Sequence, residues 1–416
     1  MLIKRDYYLK QIINRMHNGL VKIITGIRRC GKSYLLFGLF KQYLVELGVN
    51  EDHIISIELD RRTFNELKDP DKLCAYVYSA IKDNKQYYLF IDEIQMCNDF
   101  ESVLNDFMHI KNLDIYVTGS NSKLISKDII TEFRGRGDEI HLNPLSFKEF
   151  YSVYDDFDTA WNDYYTFGGM PLVLSQADDE SKMNYLKDLF KETYLKDIKE
   201  RHNIKNDNEL EELLNIISSS VGSLTNPAKL VASFKSINKI VISPNTIKDY
   251  LEYLEDAYLI RKSLRYDVKG KKYINTPSKY YFTDLGLRNA RLNFRQQEEN
   301  HIMENIIYNE LCIRGYSVDV GVVEINEKQE DGRYIKKQLE CDFIVNKGNM
   351  RLYIQSAYEL PSLDKENQEI RPLINIKDSF KKIIIVKDNI KTKVDDNGIV
   401  TISLKEFLLN DNALVF

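Results

Sequence analysis

Between Val21 and His141 the chain alternates two hydrophobic rhythms. Val21-Lys22-Ile23-Ile24-Thr25, Ile54-Ile55-Ser56-Ile57-Glu58-Leu59, Tyr87-Tyr88-Leu89-Phe90-Ile91 and Leu113-Asp114-Ile115-Tyr116-Val117 are short runs rich in β-branched and aromatic residues. Such runs predict strands. Between them lie stretches with apolar residues at helical spacing, of which Lys32 to Leu47 is the clearest. Strands separated by helices require right-handed crossovers, so the expectation is a parallel sheet covered on both faces.

After residue 146 the pattern changes. Residues 146–205 read as helical, and 206–275 as three helices followed by a strand pair. Asn226 before Pro227 and Ser243 before Pro244 mark two helix starts. In each, a capping side chain precedes a residue with no N–H to leave unpaired. A long helix over Glu299–Ile313 then leads into short strands at Ser317–Val322, Gln338–Val345, Arg351–Tyr358, Lys382–Lys387 and Ile399–Leu404, a second α/β unit. No internal repeat, low-complexity tract or Gly/Ser linker interrupts the chain.

Composition limits the class. Hydrophobic residues make up 43% of the 416 positions and charged residues 29%, which predicts a packed core rather than a disordered chain. With 58 Lys+Arg against 63 Asp+Glu the net charge is −5, which excludes a chain dedicated to coating nucleic acid but leaves room for a local basic patch. The first residues are polar and charged rather than the apolar block of a secretion signal. No stretch approaches the ~18 consecutive apolar residues of a bilayer span. The five cysteines are odd in number and form no C-x-x-C pair, so neither a disulfide framework nor a cysteine zinc site is expected, and a reducing cytoplasm is the expected location. The six histidines are scattered, none four residues from another, and are not expected as metal ligands.

The chemistry concentrates in Gly26-Ile27-Arg28-Arg29-Cys30-Gly31-Lys32-Ser33, a G-x-x-x-x-G-K-S sequence between a predicted strand and a predicted helix. Glycines let the backbone curl so that consecutive N–H groups face phosphate oxygens, and the following helix adds its positive end. Lys32 can reach the outer phosphates of ATP, and Ser33 can ligate Mg²⁺. The strand Leu89-Phe90-Ile91 ends in Asp92-Glu93. There Asp92 would hold Mg²⁺ through water and Glu93 would orient or deprotonate the attacking water. Thr118-Gly119-Ser120-Asn121 follows the fourth strand, where Ser120, or failing it Asn121, could sense the γ-phosphate. In Phe133-Arg134-Gly135-Arg136-Gly137, Arg136 ahead of Arg134 could bring a cation to the transition state, including that of a neighbouring subunit.

These motifs, with Phe90-Ile91-Asp92-Glu93-Ile94-Gln95, Asn143-Pro144-Leu145-Ser146-Phe147-Lys148-Glu149-Phe150, Phe167-Gly168-Gly169-Met170-Pro171, Tyr250-Leu251-Glu252-Tyr253-Leu254-Glu255-Asp256 and Lys279-Tyr280-Tyr281-Phe282-Thr283-Asp284-Leu285-Gly286-Leu287-Arg288, resemble a prokaryotic AAA+-like ATPase family. It is related to the archaeal ATPases and to the origin-recognition and STAND-like branch, and its members often carry a C-terminal domain of unknown function. The resemblance spans nearly the whole chain. It implies an α/β P-loop ATPase core at 1–145, a helical lid at 146–205, a winged helix at 206–275 and a restriction-endonuclease-like domain at 276–416.

That last domain resembles the PD-(D/E)xK type, in which an acid on one strand and an E-x-K on the next hold Mg²⁺ and activate water. The resemblance puts the acid at Asp342, with Glu304 as helper, but Gln355 and Ala357 stand where the glutamate and lysine belong. A nuclease-shaped domain used for binding is therefore expected. In the winged-helix segment Ile247, Leu251, Leu254 and Tyr258 share the core face. The outward positions Lys248, Asp249, Glu252, Glu255 and Asp256 hold four acids and one lysine, which repel phosphate. The following stretch from Arg261 to Lys272 is basic, with Lys262, Arg265, Lys269 and Lys271 between, and could contact DNA phosphates without reading sequence. Tyr164-Tyr165 and Tyr280-Tyr281 are read as packing rather than as base-stacking platforms. The leading expectation is an ATP-hydrolysing switch or motor; the alternatives are a nucleotide-gated DNA-binding module and, disfavoured, a nuclease effector. A homo-oligomer or an unidentified protein partner fits an arginine acting between subunits.

Overall fold

In a computed structural model the described residues are 3–119, 135–204, 207–238, 242–295, 298–329, 332–360 and 362–415. They form two compact units, Met1–Pro144 with Asp256–Tyr258, and Leu145–Glu255 with Leu259–Phe416.

In the first unit α1 (Asp6–Ile13) precedes β1 (Val21–Thr25). A π-helical stretch, Tyr34–Phe40, runs into α2 (Lys41–Glu46) and on to β2 (Ile54–Glu58). Then follow α3 (Pro70–Ala80), β3 (Tyr87–Asp92), α4 (Phe100–Phe107), β4 (Leu113–Thr118) and β5 (Gly137–His141). The sheet order is β2-β3-β4-β1-β5 with every pairing parallel. β1 and β3 are buried at every position, so their near-continuous apolar runs serve a sheet covered on both faces. All strands point the same way, so β1, β3 and β4 deliver their carboxyl ends to one edge, where ligands of such sheets bind. β5 carries no strand signal: of its five residues only Ile140 is buried, and it forms because β1 offers a partner, with Ile24 opposite Ile140.

The second unit opens with helices Phe147–Tyr151, Phe157–Phe167, Asp179–Asp188 and Lys196–Arg201, and its described residues before 205 contain no strand. Helices Asp207–Ser219, Pro227–Asn238 and Pro244–Asp256 follow. Asn226 and Ser243 cap the latter two by accepting from the N–H groups of Lys229 and Thr246. Strands β6 (Ile260–Asp267) and β7 (Lys272–Phe282) come next, then helices Leu285–Arg291 and Glu299–Ile313. β8 (Ser317–Lys328), β9 (Tyr334–Lys347), β10 (Met350–Ala357), helix Leu363–Asn375, β11 (Lys381–Val386), β12 (Lys393–Val394) and β13 (Val400–Ser403) complete the unit before a last helix, Leu404–Leu409.

One sheet of order β12-β13-β11-β10-β9-β8-β6-β7 carries all of these strands. β6 lies parallel to β8, with Arg265 opposite Val320 and Asp267 opposite Val322. The strand pair expected as a free wing is therefore part of the C-terminal sheet, and the boundary expected at 275/276 falls inside β7. The reason is visible in burial. Ser278 through Phe282 are buried without interruption, which a hairpin with one wet face does not allow. Tyr164, Tyr165, Tyr280 and Tyr281 are likewise buried and pack rather than offer faces to bases.

Two of the family-resembling stretches meet within this unit. Asp284 accepts from the N–H of Gly169 at 2.7 Å and of Leu287 at 3.0 Å, joining the end of helix Phe157–Phe167 to the start of helix Leu285–Arg291. Any side chain at Gly286 would place its Cβ 2.0 Å from the Phe167 carbonyl oxygen. Arg288 is fully buried and donates to the Ser218 carbonyl, while Asn289 donates to those of Tyr165 and Thr166.

Candidate nucleotide site

The loop Gly26–Ser33 leaves the carboxyl end of β1 and enters a helix. Gly26 has φ +139° and a Cβ there would lie 2.1 Å from the Leu142 carbonyl oxygen, so only glycine fits. Arg29 and Gly31 also adopt positive φ, 66° and 101°, which curls the loop. Lys32 is 5% exposed, and its ammonium donates to the carbonyls of Gly26 at 3.0 Å and Ile27 at 3.2 Å. Ile27 and Cys30 are buried beneath the loop, Arg28 is half-buried and Arg29 exposed. Burial pushes the Cys30 thiol upward against the opposing charges of Lys32 and Arg5, so it packs as a neutral group.

The loop is braced from behind. The Arg5 guanidinium, 3% exposed, donates to the Cys30 carbonyl at 3.3 Å and the Asn143 carbonyl at 2.7 Å. Asn143 donates through its backbone and its side chain to the Tyr8 hydroxyl. In the sequence Arg5 stands only among the polar and charged first residues, which give no sign of this clamp.

Across the loop, β4 separates β1 from β3, and its last residue links both. The Thr118 hydroxyl donates to Asp92 and accepts from the Glu93 N–H at 3.1 Å. Ser33 donates to the other Asp92 oxygen at 2.7 Å. Burial raises the Asp92 carboxyl above its ordinary range, opposed by the Thr118 and Ser33 hydrogen bonds, while Glu93 and Asp60 raise it further. Glu93 sits in the left-handed region, φ 51°, a strained placement for a non-glycine residue that turns its side chain out of the strand line. Gln95 donates its amide to the Glu93 carboxylate.

Lys32, Ser33, Asp92 and Glu93 thus converge at one sheet edge, as expected. Ser120, Asn121 and Arg134 lie outside the described residues. Arg136 does not join the group. It precedes β5 at the opposite end of the sheet, where its carbonyl accepts from the Val21 N–H and its guanidinium donates to Asn105 at 3.4 Å. A five-residue strand of about 16 Å separates it from the loop, so it does not act on this chain's own site. Thr118, quoted in the sequence only as the start of a turn, proves to be the residue that joins the two acids.

The residues present fit a nucleotide triphosphate and Mg²⁺: a curled loop that excludes any Cβ at Gly26, a buried ammonium, and a hydroxyl and a carboxylate already in contact. This is the site of a P-loop nucleotide-binding protein of the AAA type. Residues 18–151 match the family described as AAA domain, and residues 158–298 one described as a domain of unknown function (DUF8612). An uncharacterized protein of Haemophilus influenzae is 33% identical, covering 98% of this chain and 99% of the relative. An uncharacterized protein of Methanocaldococcus jannaschii is 32% identical, covering 98% of this chain and 89% of the relative. The chain belongs to one family with them, and in this chain the AAA domain is followed by a domain of unknown function. Among solved structures, the Aeropyrum pernix ORC1 protein in complex with DNA is similar at a TM-score of 0.32 and 10% identity, covering 70% of this chain and 93% of that one, a likeness too slight to bear on function. The AAA domain supports ATP binding and ATPase activity as a general class. No helix among the described residues is long and apolar enough to cross a membrane.

Proposed function

We propose that the protein binds ATP with Mg²⁺ at Gly26–Ser33 and hydrolyses it, using the cycle as a conformational switch or motor. The observation that carries this reading is the chain of contacts Ser33–Asp92–Thr118–Glu93. It couples the start of the loop helix to both acids of β3 through the strand between them.

In this reading the loop N–H groups and Lys32 hold the outer phosphates, Lys32 exchanging loop carbonyls for phosphate oxygens of higher charge. Ser33 and Asp92 would hold Mg²⁺, which supplies charge neutralisation at the phosphates when bound. Glu93, fixed by its backbone bond to Thr118 and its side-chain bond to Gln95, orients water and accepts its proton. Phosphate release with Mg-ATP tests this. Lys32→Ala should abolish binding, and Glu93→Gln should keep binding while slowing release by about 100-fold or more. Equal rates in wild type and both variants would end the idea of hydrolysis here.

A second reading, a nucleotide-gated contact with DNA, is favoured by one observation. Lys262, Lys269, Lys271 and Lys272 are exposed on β6, β7 and the turn between them. Exposed lysines on a ribbon suit phosphate contacts without base readout.

A further inference from the structure

The second unit contains a buried charged cluster that the nucleotide site does not use. Lys279 on β7 is 3% exposed, and its ammonium lies 2.8 Å from Glu304 on helix Glu299–Ile313 and 2.7 Å from Glu340 on β9. The Tyr281 hydroxyl donates to the same Glu304 oxygen at 2.6 Å, and His301 stands 3.9 Å from the other. Asp342 is 8% exposed and accepts from the Ser356 N–H at 2.8 Å.

The resemblance to the restriction-endonuclease fold implied Mg²⁺ at Asp342 with help from Glu304. The residues present do not fit it. Gln355 accepts from the Asp342 N–H through its oxygen and donates to Glu369 at 3.0 Å through its nitrogen, so both ends of its amide are committed. Ala357 is buried and brings no charge. Among the described residues no three His, Cys, Asp or Glu side chains are grouped to hold a metal ion. The lysine missing from β10 is replaced in charge, though not in position, by one from β7.

We infer that Lys279 is the resident cation of this cluster: its ammonium stands where a divalent metal would have to bind, and the C-terminal unit takes up no metal there. Electrostatics agree with the geometry. Burial pushes the Lys279 ammonium toward losing its proton, but Glu304, Asp342 and Glu340 outweigh it and hold the proton more firmly than usual. Burial disfavours charge on Glu304 too, yet Lys279 leaves that carboxyl below its ordinary range. Burial, then Glu304, pushes Asp342 well up, so it is the member of the cluster that tends to keep its proton. With that proton kept, the Lys279 ammonium lies between two carboxylates, Glu304 and the more exposed Glu340, and pairs with both. A buried ion pair with one partner removed leaves an uncompensated charge, so the cluster is sensitive to deletion of the lysine and would recruit another cation in its place.

The test titrates Mn²⁺ into the full chain, reading free Mn²⁺ by its paramagnetic resonance signal, in an Asp92→Asn parent that silences the phosphate-loop site. The parent should show no Mn²⁺ binding that Glu304→Gln removes, and it should leave plasmid DNA intact. Lys279→Gln should gain a site roughly tenfold or more tighter than any in the parent. Adding Glu304→Gln should remove it. If Lys279→Gln does not fold, Lys279→Gln with Glu340→Gln, which has one carboxylate fewer, carries the same comparison. Parent binding or cleavage that Glu304→Gln abolishes would overturn the inference, as would a folded lysine variant that binds no more tightly than the parent.

Discussion

At the residue scale, what a side chain does here depends on its neighbours across strands. Lys32, Ser33, Asp92 and Glu93 were legible because their spacing and their positions after strands define a chemistry. Thr118 was not, since a threonine at a strand end is ordinary until β4 is known to lie between β1 and β3. Thr118→Val keeps the shape and removes both hydrogen bonds. Loss of a buried partner on this scale costs about 1–3 kcal/mol. ATP hydrolysis should fall on the order of tenfold or more while nucleotide affinity stays close to wild type, checked by steady-state rates beside calorimetry. Lys279 heads a family-resembling stretch, but its ionic role is not legible for the same reason: its partners lie on a helix and a strand more than twenty residues away.

Asp284 gives a pH test at this scale. Burial raises its carboxyl from 3.8 to about 6, opposed by the N–H groups of Gly169, Leu287, Gly286 and Met170. A carboxyl that holds its proton more tightly when folded adds stability that is fully present below its unfolded pKa, and that stability is lost as pH rises through its folded pKa. Between about pH 4 and 6 this residue's contribution should therefore decline. Denaturant unfolding across that window should show a flatter dependence in Asp284→Asn than in wild type, and parallel profiles would refute the assignment.

The elements differ in how much local signal they carry. The three central strands of the first sheet, and β2 at its edge, lie where their apolar runs place them, because heavy burial leaves a strong signature. The two proline-led helices began where Asn226 and Ser243 predicted. β5 escaped notice because an edge strand with one buried side chain has no hydrophobic period. The hairpin β6–β7 carries the pattern of strands, but its pairing with β8, across 40 or more residues, leaves no local trace. The phosphate loop is the element with least tolerance. Gly26→Ala puts a Cβ against the Leu142 carbonyl at 2.1 Å with φ in the left-handed region. Nucleotide affinity should fall at least roughly tenfold by calorimetry. Thermal stability should drop as well, because strain at such a position costs on the order of 1–3 kcal/mol.

At the scale of the whole molecule, two units each have their own sheet, five strands in one and eight in the other. The proposed nucleotide site lies wholly in the first, while the exposed lysines of β6 and β7 lie in the second. Electrophoretic shift of duplex DNA at low salt, with and without ATP, tests whether the second reading holds. Replacing Lys269, Lys271 and Lys272 by alanine should weaken any shift and lower its salt dependence by up to about three ions. Absence of a shift in wild type under both conditions would remove that reading and leave the ATPase proposal untouched.

Because β7 runs unbroken from Lys272 to Phe282, it governs how the protein can be cut into pieces for study. A polypeptide beginning at residue 276 would keep Lys279 but lose β6 and the first residues of β7, exposing the flank of β8 as a sticky margin prone to self-association. One beginning at Leu145 keeps the eight-stranded sheet whole, and is the dissection from which soluble material should be sought.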